Sequence, residues 1–180
     1  MNEQEQKQIF DGWLHEYKGI LFKIVRAYAF NPHDQDDLFQ EMSLQLWKSI
    51  PDFRGAAKAS TWIYRVALYA AIAWVRKEKK QPETQSMVGI EERSVAQTES
   101  AHTLTMNTQP SDPQLDWLYE QIAQLDPIDR SVCLLMLEGF SYKEMAGLIG
   151  ISESNVGVKI HRIKQHLVRQ SEELEAVGIR

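Results

Sequence analysis

Residues 141–169 constrain the fold most, because their capping residues and glycine define two helices around a short turn. Ser141 followed by Glu144 is a capping-box pattern, in which the hydroxyl and the carboxylate each satisfy a free backbone N–H at a helix start. Gly150 can adopt a positive φ and end that helix. Ser152 can then cap the start of a second helix. The stretch therefore predicts a helix–turn–helix.

The second helix of this pattern separates an apolar stripe from a polar outer face. The stripe follows spacings of 4, 3 and 4 residues, as one buried helical face requires: Val156, Ile160, Ile163 and Leu167. The outer face carries Ser154, Asn155, Lys159, Arg162 and Lys164. Small polar residues followed by cations suit a recognition helix, whose first turn reads base edges while later cations hold phosphates. A helical hairpin with a solvated basic face has the same pattern, so both interpretations stay open.

Size and composition favour packed helical domains. A chain of 180 residues with 43% hydrophobic residues can build one large core or two small ones. No apolar run approaches the ~20 residues that span a bilayer, and the polar N-terminus is unlike a secretory signal, so we expect no membrane insertion. The single cysteine, Cys133, lies in an apolar run. We therefore expect a buried thiol, no disulfide and a cytoplasmic location.

The net charge of −5 conceals an uneven distribution of charges. Residues 31–53 carry five acids and one lysine, whereas residues 54–80 carry seven cations and one acid. Residues 81–116 carry six acids and one arginine. An acidic block beside a basic block indicates two different partners, one basic and one a polyanion.

The N-terminal part of the chain predicts two amphipathic helices. Apolar residues keep i, i+3/i+4 spacing through residues 4–29, and Asn31-Pro32 then interrupts the helix. The next helix ends at Pro51, and its buried stripe is Leu38, Met42, Leu46 and Ile50. Its remaining surface includes Asp37, Gln40 and Glu41. An ordinary solvated face with acids near a helix start would have the same composition.

Residues 53–60 are predicted to form a loop before a third helix, which Ser60 or Thr61 would cap and which would run to about Lys79. Its inner stripe would be Trp62/Ile63, Val66/Ala67, Ala70/Ala71 and Trp74/Val75, with Tyr64, Arg65, Leu68, Tyr69 and Arg76 pointing elsewhere. Aromatic groups interleaved with cations suit single-stranded nucleic acid, because unpaired bases stack on the rings and cations hold the backbone. Core packing is the competing role for Phe53 and Trp62, and the role we favour for Trp74.

The rest of the chain predicts a linker and a second helical domain. Residues 81–113 are rich in Gln, Thr, Ser and Glu and lack periodicity, which indicates a flexible acidic linker. Asp126-Pro127 predicts a helix over residues 128–138 that Gly139 ends. The acidic tail after Gln170 is expected to fray. The predicted fold class is all-α, with two small helical domains.

Motifs for catalysis are missing from the sequence. There is no glycine-rich phosphate-binding motif and no H-E-x-x-H zinc motif, and the five histidines are scattered. The carboxylates cluster at helix starts, where capping and the helix dipole explain them. We therefore expect no cofactor, no metal, no small-molecule substrate and no enzymatic activity.

Several motifs resemble regions 2 and 4 of extracytoplasmic-function (ECF) sigma factors. For region 2 they are DLFQE at 37–41, LW at 46–47, FRG at 53–55 and TWIYRVA at 61–67. For region 4 they are LDP at 125–127, EGFSYKEMA at 138–146, GIS at 150–152 and HR at 161–162. Their order and spacing match the family over roughly residues 8–170. The resemblance implies region 2 over 1–80, a linker over 81–113, region 4 over 114–170 and a tail over 171–180.

The resemblance also implies a function, that of a subunit directing RNA polymerase core to promoters. The residues expected to bind core, through the β′ coiled coil and the β subunit, are Asp37, Leu38, Gln40 and Glu41. Those expected to melt and hold the −10 element are Phe53, Arg54, Lys58, Trp62, Tyr64, Arg65, Tyr69 and Arg76. Those expected to read the −35 element are Ser141, Ser154, Asn155, Lys159, Arg162 and Lys164. Family members are commonly held inactive by an anti-sigma factor, so such a partner is expected.

Two departures from the family pattern leave the preferred promoter sequences open. Tyr69 stands where members often have Asn, and Gly157-Val158 stands where Lys-Ser is common. Two other functions compete with the one implied by the resemblance. One is a helix–turn–helix regulator that binds duplex DNA without polymerase, and the other is a helical adaptor that acts only on proteins.

Overall fold

The computed structural model describes residues 1–78 and 112–176, which contain seven α-helices, one 3-10 helix and no strand. The first three are α1 (Glu3–Tyr28), α2 (Pro32–Ser49) and α3 (Ala59–Glu78), with the 3-10 helix (Ile50–Asp52) after α2. The other four are α4 (Pro113–Gln124), α5 (Pro127–Leu137), α6 (Tyr142–Ile149) and α7 (Glu153–Ala176). The predicted linker lies outside the described residues, apart from its last two positions.

The first two helices begin at side-chain caps and confirm the predicted helices. Asn2 and Glu5 form a capping box at α1, where the Glu5 N–H donates to Asn2 Oδ1 at 2.8 Å. At α2, Asn31 Oδ1 accepts from the Asp34 N–H at 2.9 Å, and Pro32 occupies a first-turn position that needs no N–H donor.

The start of α3 corrects a prediction. The Trp62 N–H donates to the Lys58 carbonyl at 3.1 Å, so the backbone ladder already begins at Lys58 and α3 starts at Ala59. Ser60 and Thr61 therefore lie inside the first turn, and neither caps the helix. The helix extends through Glu78, and its predicted end at about Lys79 lies outside the described residues.

The boundaries of α5 confirm the predicted cap and turn. Asp126 Oδ1 accepts from the N–H groups of Ile128 and Asp129 at 2.9 and 3.0 Å. At the other end Gly139 has φ +79°, and the Phe140 N–H donates back to the Leu135 carbonyl at 3.1 Å. This left-handed termination turns the chain directly into α6.

The helix–turn–helix of α6 and α7 is also confirmed. Ser141 and Glu144 form the capping box, Gly150 has φ +79°, and the Asn155 N–H donates to Ser152 Oγ at 3.2 Å. The prediction that the chain frays after Gln170 is wrong for residues 171–176, because α7 continues to Ala176. Glutamate, leucine and alanine are strong helix formers, and here this preference outweighs the unfavourable position of acids at a helix C-terminus.

Two groups of helices share one continuous core. Helices α1–α3 pack on one another, as do α5, α6 and α7, while α4 packs on α1 and α5. Helix α1 also packs on α5, and α3 packs on α5 and α6. The fully buried side chains of the first group include Ile24, Leu38, Met42, Leu46 and Ile63, and those of the second include Ile122, Leu135, Met145, Val156 and Ile163. The halves of the chain on either side of the linker are therefore in direct contact.

Polar side chains bind the two groups together at α1. The Tyr28 hydroxyl, which is fully buried, donates to the Pro127 carbonyl and shares a 2.7 Å hydrogen bond with the Ser131 hydroxyl. Burial raises the pKa of Tyr28, so the phenol stays protonated at neutral pH. Arg130 donates to the carbonyls of Leu125 and Ala123 and lies 5.5 Å from the Tyr28 ring.

Two ion pairs lie at the edge of the same contact. Lys23 Nζ is 2.5 Å from Glu138 Oε1, and Arg26 pairs with Asp116. The Arg26 guanidinium also lies 4.2 Å from the centre of the Tyr119 ring. These side chains are a third to a half exposed, apart from Glu138 at 29%, so solvent weakens both pairs.

Cys133 is fully buried in α5, as predicted, and burial raises the pKa of its thiol to about 11. In residues 1–78 and 112–176, none of the helices has the length and apolarity that a membrane span requires.

Candidate nucleic-acid interface

On the acidic surface of α2, two of the four residues predicted to bind polymerase are exposed and a third is half-buried. Asp37 and Gln40 are exposed, and Glu41 is half-buried with its carboxylate accepting from Gln45 Nε2 at 2.7 Å. Leu38 is fully buried, so it supports the helix from the core and cannot contact a partner directly. Leu44, on the same side of α2 as Gln40 and Glu41, is 45% exposed. An apolar group beside acids is suited to a basic protein surface.

The loop between the 3-10 helix and α3 has an anchored base and an exposed tip. Phe53 packs edge-on against Trp13 with ring centres 5.2 Å apart, and it lies 5.7 Å from Trp62. The Trp62 indole N–H donates to Ser49 Oγ at 3.0 Å. Phe53 and Trp62 are thus half-buried and fixed, which makes them partly structural. Arg54 and Lys58 are exposed on the tip, where Gly55 adopts φ +70°.

The second group of helices covers part of the α3 face that was predicted to hold opened DNA. Tyr64 and Leu68 are only 3% and 2% exposed, which corrects the prediction that they point away from the core. The Tyr64 ring packs edge-on against Phe140, with ring centres 5.4 Å apart. Burial, and then the neighbouring Glu138 carboxylate, raise the pKa of Tyr64.

The remaining −10 candidates on α3 are more accessible than Tyr64. Arg65 and Arg76 are exposed, and Tyr69 is 46% exposed. The Tyr69 hydroxyl nevertheless donates to the Ile149 carbonyl of α6 at 3.2 Å. Trp74 is half-buried on α3, so its packing role holds only in part.

Two grooves border this face of α3. One, of about 480 Å³, lies between the loop and α6, and its lining includes Arg54, Thr61, Arg65, Lys143 and Gly147. The other, of about 650 Å³, lies between α2 and α3, and its lining includes Glu41, Lys48, Trp62, Arg65 and Tyr69. Arg65 lines both grooves, so it stands where the acidic surface of α2 meets the basic loop.

Helix α7 presents an open outer face. Ser154, Asn155 and Arg162 are exposed, opposite the buried stripe of Val156, Ile160 and Ile163. Lys164 is exposed too, but at about 100° per residue it projects well to the side of Ser154 and Arg162. Ser141 is exposed at the start of α6, where its hydroxyl bonds to the Glu144 carboxylate at 2.7 Å.

The outer face of α7 also contains residues that the sequence analysis did not select as candidates. Val158 is 47% exposed, and Gln165 and Arg169 are exposed on the same side. The signal was available, since these positions follow Ser154 at steps of 4, 7 and 4 residues along one helical face.

Among the lysines and arginines of α7, Lys159 is the one whose charge is paired with another described residue. Its ammonium lies 2.5 Å from Asp129 Oδ1, and the two side chains are only 18% and 17% exposed. Burial opposes ionisation of the neighbouring Asp126, but the Asp129 N–H and the Lys159 charge together lower its pKa. The Lys159 ammonium, which was predicted to contact a DNA phosphate, is therefore held by Asp129 in this structure.

Comparison with known families matches both groups of helices. The model of sigma-70 region 2 matches residues 13–81, and the model of sigma-70 region 4 matches residues 115–167. The chain is 24% identical over 177 residues to the ECF RNA polymerase sigma factor SigX of Bacillus subtilis, covering 96% of this chain and 88% of SigX. The chain belongs to the ECF sigma factors. This sigma factor is also 26% identical over 177 residues to the sigma factor YlaC of the same bacterium, covering 94% and 98% of the two chains.

Solved structures of sigma factors share its fold. The sigma factor RpoE of Bartonella quintana, crystallised with the anti-sigma factor NepR, superposes with a TM-score of 0.67 at 17% identity and covers 96% of this chain and 99% of its own. CnrH, in complex with the cytosolic domain of CnrY, gives a TM-score of 0.59 at 17% identity, covering 93% and 90%. The all-α fold with region 2 and region 4 helices is confirmed.

Proposed function

We propose that this sigma factor is a promoter-specificity subunit that binds RNA polymerase core and directs initiation at −10 and −35 elements. The observation that carries this proposal is the order of the two sigma regions along one chain, each with its own charged surface. Transcription needs no catalytic group from such a subunit, since polymerase supplies the chemistry. The chain would act where the polymerase is, in the cytoplasm.

Core docking is assigned to the exposed residues of α2. Asp37, Gln40 and Glu41 form an acidic strip, and Leu44 adds an apolar contact beside them. A basic partner such as the β′ coiled coil complements that strip, which would speed association and fix the orientation of the complex. Leu38 is assigned only the packing role that its burial allows.

Recognition of the −10 element is assigned to the loop and the exposed part of α3. Arg54 and Lys58 would hold the backbone of the non-template strand, and Tyr64 and Tyr69 would stack against unpaired bases. Because Tyr64 lies beneath Phe140, DNA reaches it only after α3 separates from α5 and α6. We assign that separation to the binding of core, which would hold regions 2 and 4 on different parts of the promoter.

Recognition of the −35 element is assigned to the outer face of α7. Ser154 and Asn155 in the first turn would reach base edges, and Arg162 would bind a base or a phosphate farther along the major groove. Lys164 and Ser141 would contact the DNA backbone at the margins. This duplex surface is exposed without any rearrangement.

An anti-sigma factor is the proposed regulatory partner. RpoE, which shares this fold, was crystallised with the anti-sigma factor NepR, and CnrH, which shares it too, was solved in complex with the cytosolic domain of CnrY. The acidic surface of α2 that polymerase would use and the basic surfaces that DNA would use are those that such a partner must mask.

The decisive experiment is transcription in vitro. Purified chain, polymerase core and genomic DNA from the source bacterium are combined, and the transcript starts are mapped. If the proposal is correct, transcripts start at defined positions that share −10 and −35 elements. These starts are lost when either the chain or core is omitted. Footprints on duplex DNA without core, together with no new transcript starts, would instead support the regulator that binds DNA without polymerase.

A further inference from the structure

The ion pair between Lys159 and Asp129 links the two helices that position the −35 surface. Asp129 lies in the first turn of α5, where its carboxylate also benefits from the helix dipole. Lys159 lies in the second turn of α7, one turn after Asn155 and one turn before Arg162. Its backbone therefore borders the outer face, but its ammonium turns away from that face toward α5.

The pair adds directional information that the apolar contact between α5 and α7 lacks. Val156, Ile160 and Ile163 bury their side chains between the helices, and apolar burial favours contact without fixing a precise rotation. A short charge-assisted hydrogen bond between largely buried groups is sensitive to distance and angle. Rotation of α7 about its axis would break it and would turn Ser154 and Asn155 away from the DNA.

We propose that Lys159 is a positioning residue for −35 recognition, which fixes the rotation of α7 through Asp129 and does not contact a phosphate. The inference rests on the proposed function, because it assigns the outer face of α7 to promoter DNA. The phosphate contacts on this face would then come from the exposed cations that form no ion pair within residues 1–78 and 112–176, chiefly Arg162 and Arg169.

The test measures promoter binding by the chain assembled with polymerase core. The probe is a labelled duplex containing the −35 region of a promoter mapped in the transcription experiment, titrated between roughly 50 and 200 mM salt. The variants are Lys159→Met, Asp129→Asn and the double variant. Arg162→Met is the matched control, because it removes an exposed cation from the same helix.

If Lys159 acts through Asp129, both single variants weaken binding by a similar factor, on the order of three- to tenfold, and the double variant is no weaker than either. The slope of log affinity against log salt stays at its wild-type value in all three, whereas it falls for Arg162→Met. If Lys159 holds a phosphate, Lys159→Met alone weakens binding and lowers the slope by ~0.9. Asp129→Asn would then leave binding unchanged or strengthen it by freeing the lysine, and either result overturns the proposal.

Urea unfolding of the wild type, Lys159→Met, Asp129→Asn and the double variant, without DNA, separates the positioning role from a purely structural one. Urea is uncharged, so it does not screen the ion pair as a salt would. Non-additive losses in the free energy of unfolding, with wild-type DNA binding in the same variants, would make the pair purely structural and would also overturn the positioning role. If the wild-type assembly binds no mapped duplex, the proposed function itself fails.

Discussion

The outer faces of α3 and α7 are both assigned to DNA, but only the face of α7 is open. On α7, Ser154, Asn155 and Arg162 are exposed. On α3, Tyr64 is 3% exposed, and the Tyr69 hydroxyl is hydrogen-bonded to the Ile149 carbonyl. The same chain therefore presents its surface for duplex DNA while it covers part of its surface for opened DNA.

The difference follows from the composition of the two helices. Helix α7 has one buried apolar stripe, which packs on α5 and α6, and its exposed surface is mainly polar apart from Val158 and Val168. Helix α3 is apolar on two sides, with Ile63 and Ala67 facing α1 and α2 while Tyr64 and Leu68 lie toward α5 and α6. A helix that is apolar on two sides needs cover on both. In the free chain region 4 supplies the second cover, and in the initiation complex DNA would replace it.

The largest effect is expected at the acidic surface of α2, because binding of core there is assigned to separate α3 from α5 and α6. Asp37→Arg with Glu41→Arg should weaken core binding on the order of a hundredfold or more, because four formal charges change on a surface assigned to a basic partner. Binding of a −35 duplex by the free chain should not change. Fluorescence titration of labelled chain with core measures the first quantity.

The matched control for that variant reverses two exposed acids of α1, Asp11→Arg with Glu16→Arg, which changes the net charge equally. Core affinity should stay within a few-fold of wild type in the control. Equal losses in the two double variants would show that net charge, and not the α2 surface, determines docking.

The next largest effect is expected at the exposed outer face of α7. Arg162→Ala should weaken −35 binding by ~1–3 kcal/mol if the guanidinium contacts a base. Lys164→Ala should have a smaller effect, since Lys164 projects to the side of that face. Anisotropy titrations of the assembled enzyme with a −35 duplex give both values, and a larger loss for Lys164 would mean that the outer face is wrongly assigned.

A smaller effect is expected at the contact between α1 and α5, which helps to hold the two groups of helices together. Tyr28→Phe keeps the ring in the core but removes the hydroxyl that bonds to both the Pro127 carbonyl and the Ser131 hydroxyl, which keep between them only the 3.3 Å hydrogen bond from Ser131 to Pro127. The contact between the two groups of helices should lose ~1–2 kcal/mol of free energy, which raises the fraction of molecules with separated groups ~5- to 30-fold. The affinity of the free chain for a −10 strand should rise by the same factor. Tyr17→Phe on the same helix is the control and should leave this affinity unchanged. An equal gain in both variants would exclude a specific effect of the interface.

The smallest effect is expected for the exposed pair at the rim. Lys23→Glu places two acids opposite each other at Glu138, but Lys23 is 49% exposed, so the contact should weaken by less than ~1 kcal/mol. The effect should fade at high salt and reverse when Glu138→Lys is added. A loss that is independent of salt would place the pair in a less solvated site than this structure gives it.

Local signals predicted most of the fold. Asn31-Pro32, Asp126-Pro127 and Gly150 located helix boundaries because capping and positive φ are properties of neighbouring residues. The helix–turn–helix followed from its capping residues and Gly150, and its buried stripe followed from periodicity. The start of α3 was misplaced because a backbone carbonyl, which leaves no mark in the sequence, accepts its first hydrogen bond.

Contacts between distant residues could not be predicted in this way. Periodicity identified Tyr64 as a residue off the inner stripe, but it could not show that Phe140 covers it. Likewise the pattern of α7 placed Lys159 with the other cations, because it contains no information about Asp129 on α5. The candidate surfaces were therefore largely predictable, and their accessibility was not.

The most direct test of the account measures the distance between α3 and α6. Arg65 and Lys143 line the same groove, so spin labels at Arg65→Cys and Lys143→Cys, with Cys133→Ser, report whether that groove is closed. The account predicts one short distance in the free chain and its replacement by a longer one when core and promoter bind. A short distance that persists in the active complex, or its absence from the free chain, would contradict the account.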